Sequence, residues 1–138
     1  MKKVVDASVA VKWYIPEIFE REANRVQTSG EILHAPELIL PEFSNIIWKK
    51  VRFGEITEKE GNKIVDAFAQ RNLHFHSHKT LIKSAFTGAV MTNRTVYDWT
   101  YLSLAIALSC EFITADEKFY KALENTKLKK HLLWIGDV

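Results

Sequence analysis

The sequence predicts an α/β fold: a three-layer α/β/α sandwich around a central, mostly parallel sheet of four or five strands. Two observations support this prediction. Short apolar runs alternate along the 138 residues with longer segments of helical periodicity, which is typical of a parallel sheet whose right-handed crossovers are helices. No internal repeat and no Gly/Ser-rich linker interrupts the alternation, so residues 1–138 are predicted to form a single domain.

The first half of the chain is predicted to contain two strands and three helices. Pro36 suits the first turn of a helix, where no amide partner is needed, and Pro41 is expected to kink or restart that helix. Gly54 ends it, and Thr57-x-x-Glu60 has the pattern of a capping box that begins the next helix. The predicted elements are a strand at 3–6, a helix that Pro16 interrupts and that resumes over 17–27, a strand at 31–34, and helices over 36–52 and 57–71.

The second half repeats the alternation of strands and helices. Thr95-x-x-Asp98 is again a capping-box pattern, and it begins a strongly apolar helix. The predicted elements are a strand at 73–75, helices over 79–90 and 95–108, a strand at 111–114, a short helix over 117–124, and a candidate fifth strand at 132–135.

Composition excludes several classes of protein. Hydrophobic residues make up 47% and charged residues 26% of the chain, as in ordinary globular proteins, and a net charge of +2 does not by itself indicate nucleic-acid binding. The single cysteine, Cys110, rules out an intrachain disulfide. Asp6 breaks the N-terminal apolar run too early for a signal peptide, and no segment is apolar for long enough to cross a membrane. We therefore expect a cytoplasmic protein that does not use the membrane.

Four acidic residues lie at the ends of predicted elements: Asp6, Glu42, Asp98 and Asp116. Each has a structural explanation when taken alone. Asp6 is a good N-cap for the segment after the first strand, and Asp98 could return a hydrogen bond to the cap amide of its own helix. Glu42 follows Pro41 amid apolar residues, which is an unusual setting for an acid. Glu117 is interpreted as the capping acid of the last helix, which leaves Asp116 free.

Together the four acids are harder to explain structurally. In open parallel sheets, ligands bind beyond the carboxyl ends of the strands, and Asp6 and Asp116 both lie at or just past such ends. Clustered carboxylates raise one another's pKa, so a purely structural protein would avoid them. A hard divalent cation removes that repulsion because it prefers oxygen ligands, and it can promote hydrolysis of a phosphodiester.

The residues around these acids resemble the four signature blocks of PIN domains, and more narrowly of the VapC-like ribonuclease toxins found in type II toxin–antitoxin pairs. The similarity extends from near Val4 to about Ile135, with the blocks in the expected order. One position departs from the pattern, because Trp99 is bulkier than the small residue expected after the helical acid. The four stretches are Val4-Val5-Asp6-Ala7-Ser8-Val9, Pro41-Glu42-Phe43-Ser44-Asn45, Val96-Tyr97-Asp98-Trp99-Thr100-Tyr101-Leu102-Ser103-Leu104-Ala105 and Thr114-Ala115-Asp116.

The resemblance implies a function and a set of roles. Asp6, Glu42, Asp98 and Asp116 would be the catalytic acids that hold Mg²⁺ or Mn²⁺ for hydrolytic cleavage of RNA. The family often places polar residues that support the metal site at the positions of Ser8, Asn45 and Thr114. A homodimer and inhibition by a cognate antitoxin protein are also implied.

Two groups of residues have weaker assignments. Lys12 and Lys49 lie near the acids in sequence and could bind RNA phosphates, although a basic residue near a helix end also has an ordinary explanation. His74, His76 and His78 alternate, so a strand would point them to one face. We interpret them as a solvated strand end rather than a metal site, because no cysteine or acid completes a ligand set nearby.

Two alternative functions remain open from the sequence. The chain could be a non-catalytic binding module of the same fold that uses its acidic pocket to capture a basic peptide. It could also be a metal-dependent nuclease that acts on DNA rather than RNA.

Overall fold

The structure is a computed structural model that describes all of residues 1–138, and its centre is one five-stranded parallel sheet in the order β3-β2-β1-β4-β5. Strand β1 is central: its Val4 lies opposite His34 of β2 and Phe112 of β4. The predicted sheet is confirmed, with five strands that are all parallel. The strands are β1 (Lys2–Val5), β2 (Ile32–Pro36), β3 (His74–His76), β4 (Glu111–Thr114) and β5 (Leu132–Trp134).

Seven α-helices connect the strands and cover the sheet. Right-handed crossovers place the first four helices on one face and the last three on the other. On the second face, the ring of Phe112 contacts Tyr101 and Phe119 from two different helices. The helices are α1 (Ala7–Ala10), α2 (Glu20–Thr28), α3 (Ile39–Arg52), α4 (Glu58–Ala69), α5 (Ile82–Thr92), α6 (Val96–Ala107) and α7 (Glu117–Leu123), with 3-10 turns at Val11–Trp13, His78–Thr80, Lys127–His131 and Ile135–Asp137.

The predicted start and kink of α3 are both wrong. Pro36 is the last residue of β2, and the helix begins three residues later at Ile39. Pro41 then falls in the first turn of α3, where backbone amides have no intrahelical partner, so its missing N–H disturbs nothing and the helix continues to Arg52.

Other element ends differ by a few residues. The helix predicted over 17–27 begins only at Glu20, because Phe19 before it has a left-handed backbone with φ of 68°. The helix predicted over 79–90 begins as a 3-10 turn, and α5 then runs to Thr92, because the next residue, Asn93, has a left-handed backbone with φ of 55°. The capping box at Thr57 and Glu60 is confirmed in both directions, at 3.0 and 3.1 Å.

Helices α5 and α6 pack closely because Gly88 of α5 faces the large side chain of Trp99 on α6. Trp99 is buried, and its indole ring lies against Gly88 of α5, where a Cβ atom would overlap it. The indole Nε1 donates a hydrogen bond of 2.7 Å to Oγ1 of Thr92. Trp99 therefore packs in the contact between α5 and α6.

The buried apolar side chains form one contiguous cluster of 28 residues, and no second core is present. None of the helices combines the length and the apolar character needed to span a membrane.

Candidate functional site

The structure brings the four predicted acids to one pocket at the carboxyl edge of the sheet. Asp6 follows β1 and Asp116 follows β4, while Glu42 and Asp98 come from the first turns of α3 and α6. The pocket has a volume of about 240 Å³, and its polar lining consists of Asp6, Ser8, Glu42, Asn45, Asp98, Tyr101 and Asp116.

Asp6 is the most buried and most constrained of the four. Its Oδ1 accepts hydrogen bonds from the Ser8 hydroxyl at 2.5 Å and from the Val9 amide at 3.1 Å, so Asp6 also caps α1. Its Oδ2 accepts one from the Thr114 hydroxyl at 3.0 Å. Burial nevertheless raises the pKa of Asp6 to about 6, since it outweighs the lowering effect of these donors, and the charge of Glu42 raises it further.

Asp116 corrects one sequence-based assignment, because it and not Glu117 is the capping acid of α7. Its Oδ1 accepts a hydrogen bond of 3.1 Å from the Phe119 amide, and its own amide donates one of 3.0 Å to Thr114. Glu117 instead pairs with Lys121 on the surface at 2.6 Å. One carboxylate oxygen of Asp116 is left to face the pocket, so the same residue can cap a helix and serve the site.

Glu42 has a partner that sequence reasoning missed. The hydroxyl group of Tyr101 donates a 2.6 Å hydrogen bond to Oε1 of Glu42. Burial raises the pKa of Glu42, the Tyr101 bond lowers it, and the charge of Asp98 raises it. Tyr101 comes three residues after Asp98 on α6 and so shares its face. This spacing is the only feature of the sequence that could have indicated a role for Tyr101 at the pocket, and it lies within a run of apolar residues.

Asp98 lies at the open side of the pocket. The Thr95 hydroxyl accepts a 3.1 Å hydrogen bond from the Asp98 amide, but the carboxylate returns none to the Thr95 amide, so the predicted reciprocal capping box is only half formed. Burial raises the pKa of Asp98, and the nearby charge of Asp116 raises it further, while Thr95 and the positive charge of Arg94 lower it. The carboxylate is therefore available to a ligand.

The predicted supporting residues differ in their contacts. Ser8 and Thr114 both bind Asp6, and Ser8 also accepts a hydrogen bond from the Ala115 amide at 3.3 Å. Asn45 lines the pocket and makes no hydrogen bond to another side chain or backbone group.

The two predicted phosphate ligands have different surroundings. The ammonium group of Lys12 is buried in a 3.0 Å ion pair with Glu17, so that charge is already matched inside the fold. Lys49 is exposed on α3, four residues after Asn45 and hence on the same helical face, with no ion pair. Of the two, only Lys49 presents a free charge to solvent.

The histidines are not a uniform solvated strand end. His74 is exposed as expected, but Nε2 of His76 lies 2.8 Å from Nδ1 of the buried His34 on the neighbouring strand. Burial and the nearby His76 lower the pKa of His34 to about 4, so both rings of this pair are neutral at pH 7. His78 lies outside the strand, in a 3-10 turn.

Repulsion links the four carboxylates in a series. The charge of Glu42 raises the pKa of Asp6, Asp98 raises that of Glu42, and Asp116 raises that of Asp98. No three His, Cys, Asp or Glu side chains of the chain lie close enough together to enclose an ion by themselves. The donors nevertheless fit Mg²⁺ or Mn²⁺: they are all oxygens, and such ions commonly use one or two carboxylates and complete their coordination with water and phosphate.

Fold and pocket together define an α/β protein with four carboxylates gathered at the carboxyl edge of a parallel sheet. Residues 3–124 match the PIN domain family. The chain is also similar to ribonuclease VapC3 of Pyrobaculum aerophilum, with 32% identity over 120 residues that cover 86% of this chain and 92% of that protein. The chain belongs to the PIN-domain family.

Solved structures show the same fold. PAE2754 from Pyrobaculum aerophilum superimposes with a TM-score of 0.73 at 17% identity, covering 99% of this chain and 85% of that one. VapBC2 from Rickettsia felis, bound to a DNA fragment from its promoter, gives a TM-score of 0.65 at 14% identity and 97% and 98% coverage. VapC20 of Mycobacterium tuberculosis, a toxin that cleaves the sarcin–ricin loop, gives 0.68 at 13% identity and 88% and 95% coverage. At these identities the likeness concerns the fold alone.

Proposed function

We propose that this chain is a metal-dependent endoribonuclease and the toxin of a toxin–antitoxin pair. The observation that carries the proposal is the meeting of four carboxylates, from four separate elements, in one pocket of a PIN-family chain. A curated relative that is 32% identical over most of both chains is a ribonuclease, which supports RNA as the substrate.

In this proposal Asp6, Glu42, Asp98 and Asp116 hold Mg²⁺ or Mn²⁺. Such an ion supplies charge neutralisation at phosphate oxygens and makes water more acidic, so that phosphodiester hydrolysis needs no histidine base. The raised pKa values of three of the acids support the assignment, because buried carboxylates that also repel one another gain most from a shared cation.

The side chains around the acids have distinct tasks. Ser8 and Thr114 orient both oxygens of Asp6, and the Val9 amide fixes its position at the end of β1. The Tyr101 hydroxyl holds one oxygen of Glu42 and leaves the other for the pocket. Asp98, which is only half buried, lies where an RNA phosphate enters. Asp6 is held rigidly and Asp98 is more open to solvent. This combination suits a site that must keep its geometry while it binds and releases a long substrate.

We propose further that residues 1–138 act as one domain in the cytoplasm, bind a cognate antitoxin and form a homodimer. The single apolar core supports the first point. The VapBC2 assembly, which has the same fold, supports an antitoxin partner. An apolar stripe on α5 supports the dimer, since Ile82, Phe86 and Val90 recur every four residues on one helical face and are all exposed.

The first test is cleavage of end-labelled single-stranded and hairpin RNAs, with the matching DNAs alongside. Purified protein is incubated with Mn²⁺, with Mg²⁺ and with EDTA, and Asp98→Asn is assayed in parallel. We expect cleavage of RNA that requires metal and is lost in the variant. RNA left intact by folded protein that binds no Mn²⁺ would exclude the nuclease and favour a binding module, and cleavage of DNA alone would change the substrate class.

A further inference from the structure

Arg94 is a cationic residue at the edge of the acidic pocket that has no partner in the structure. It lies in the short connection between α5 and α6, between Asn93, which ends one helix, and Thr95, which caps the next. Its guanidinium group makes no hydrogen bond and no salt bridge, and its Nε is buried without a partner. Unsatisfied buried donors are rare in folded proteins, and they often mark the place of a ligand or a water.

The other basic residues near the pocket differ from Arg94 in this respect. Lys12 is paired with Glu17, and Lys50 is shared between Glu17 and Glu55. Lys49 carries a free charge, but it is exposed on a flexible stem. Arg94 is only half exposed, so its planar group is held by the fold and loses less conformational freedom when it binds a phosphate.

The surroundings of Arg94 also suit an anion next to the metal site. Asn93, Arg94, Thr95 and Asp98, which are all polar residues, line a hollow that shares Asp98 with the acidic pocket. The positive charge of Arg94 lowers the pKa of Asp98, yet no ion pair joins the two side chains. The guanidinium therefore lies beside the carboxylates without being neutralised by them.

We propose that Arg94 and the polar hollow around it form a phosphate subsite, in which the guanidinium binds an RNA phosphate that flanks the one to be cleaved. This inference rests on the proposed ribonuclease function. Arginine can donate two parallel hydrogen bonds to one phosphate. This pairing fixes the position of the RNA strand and also neutralises the charge of the phosphate. Arg94 thus positions the RNA backbone so that the next phosphate lies among the four acids.

The test compares Arg94→Gln with the native chain in three measurements. Binding of a fluorescein-labelled single-stranded RNA is measured in EDTA over a series of KCl concentrations. We expect about tenfold weaker binding, the equivalent of one charge-assisted hydrogen bond. The slope of log Kd against log[KCl] should also fall by about 0.7, the contribution of one phosphate contact on a single strand. Cleavage kinetics in Mn²⁺ should show the loss mainly in KM.

Direct Mn²⁺ binding provides the readout that a misfolded variant could not imitate. Removing a positive charge beside Asp98 should leave Mn²⁺ affinity unchanged or increase it, whereas a disrupted pocket would lose affinity for both ligands. Arg94→Lys should recover part of the RNA affinity. Arg21→Gln is the matched control, because Arg21 is also an unpaired arginine but does not line the acidic pocket or the hollow. It is exposed on α2, which packs against the C-terminal 3-10 turn.

The outcomes separate this inference from the proposed function. If the native chain cleaves RNA and Arg94→Gln keeps the native RNA affinity and salt slope, the phosphate subsite is wrong while the nuclease stands. If the native chain cleaves no RNA but Arg94→Gln still weakens RNA binding as described, Arg94 binds an RNA phosphate, but the proposed function and the placement beside a cleaved phosphate both fail. Native protein that does not bind RNA at all overturns the subsite.

Discussion

The hydroxyl group of Tyr101 donates a 2.6 Å hydrogen bond to Oε1 of Glu42, which joins α6 to α3 at the pocket. Tyr101 is buried, its ring stacks on Phe112 of the central sheet, and burial together with the charge of Glu42 raises its pKa. The phenol therefore stays protonated and can only donate to the carboxylate. Glu42 is thus held by a rigid aromatic residue whose own place is set by the core.

Removing this hydroxyl group should weaken metal binding, whereas removing a hydroxyl group elsewhere in the fold should not. We expect Tyr101→Phe to bind Mn²⁺ about 10–100-fold less tightly, as is typical when a residue that orients a metal ligand is lost. Its free energy of unfolding should fall by about 1.5–3 kcal/mol, the net worth of one hydrogen bond to a charged group. Titration calorimetry measures the first quantity and urea denaturation the second.

Tyr14→Phe is the matched control for that variant. The Tyr14 hydroxyl accepts a hydrogen bond of 3.2 Å from Arg71, away from the pocket. Its loss should lower stability by a similar amount and leave Mn²⁺ affinity unchanged. Equal Mn²⁺ affinities for both variants and the native chain would show that Tyr101 does not orient Glu42 for metal.

Asp116 and Glu117 are neighbours, and the structure predicts opposite results for their amide variants. Asp116→Asn should lower kcat by at least about 100-fold, because one of the four carboxylates that would hold the metal ion is lost. The helix should survive, since Asn caps an N-terminus as well as Asp does. Glu117→Gln removes only a surface ion pair with Lys121 and should retain native activity. Cleavage rates and circular dichroism spectra of the two variants test this contrast.

The buried carboxylate of Asp6 should make the stability of the metal-free protein fall as pH rises. An acidic residue more often has the opposite effect on stability. Its pKa is about 6 in the folded protein against an ordinary value of 3.8, so the folded state binds the proton more tightly. This contribution to stability is full below about pH 4 and is lost as pH rises through about 6. Two pKa units correspond to about 3 kcal/mol as an upper estimate.

Urea denaturation of the metal-free protein at several pH values measures this effect. Asp6→Asn should remove most of the dependence between pH 4 and 7, and the difference between the two proteins isolates Asp6 from other titrating groups. Mn²⁺ should stabilise the native chain far more at pH 7 than at pH 5, because its ligands must be ionised. A native profile parallel to that of Asp6→Asn would contradict the assignment.

The contact between α5 and α6 should not tolerate a side chain at Gly88. A Cβ atom there would overlap the Trp99 ring, so Gly88→Ala should lower the free energy of unfolding by about 1–3 kcal/mol despite the better helix propensity of alanine. Thr87→Ala on the same helix is the control, because Thr87 is exposed and bonds only to the Lys83 carbonyl. Thermal denaturation should show a lower Tm for Gly88→Ala alone.

The apolar stripe on α5 predicts the effect of a charge on self-association. Phe86 is 61% exposed and Val90 68% exposed, which is unusual for such large apolar side chains. Phe86→Glu should shift the protein from dimer to monomer in light scattering while keeping the native circular dichroism spectrum, because the side chain contributes little to the core. Ser84→Glu, which adds one negative charge at an exposed position on the opposite side of the same helix, should remain a dimer. A native monomer would exclude the homodimer.

The α/β class and the four acids could be predicted from the sequence because their signals are local. An alternation of apolar runs with helical periodicity requires no knowledge of the partners of each element, and the acids lie at element ends that turn and capping patterns mark. The predicted start of α3 is wrong because it too was inferred from a local signal alone. A proline at position 36 suits the end of a strand as well as the start of a helix, and only pairing of β2 with β3 distinguishes the two.

What tertiary structure alone decided is how the side chains meet. Sequence determined the order of elements, the parallel sheet and the identity of Asp6, Glu42, Asp98 and Asp116 as candidates. The Tyr101–Glu42 bond spans 59 positions and the Thr114–Asp6 bond 108, so neither leaves a trace in local pattern. The pairing of Lys12 with Glu17 and the lack of a partner for Arg94 depend in the same way on packing. Local chemistry determines which residues can act, and the distances set by the folded core decide which of them do.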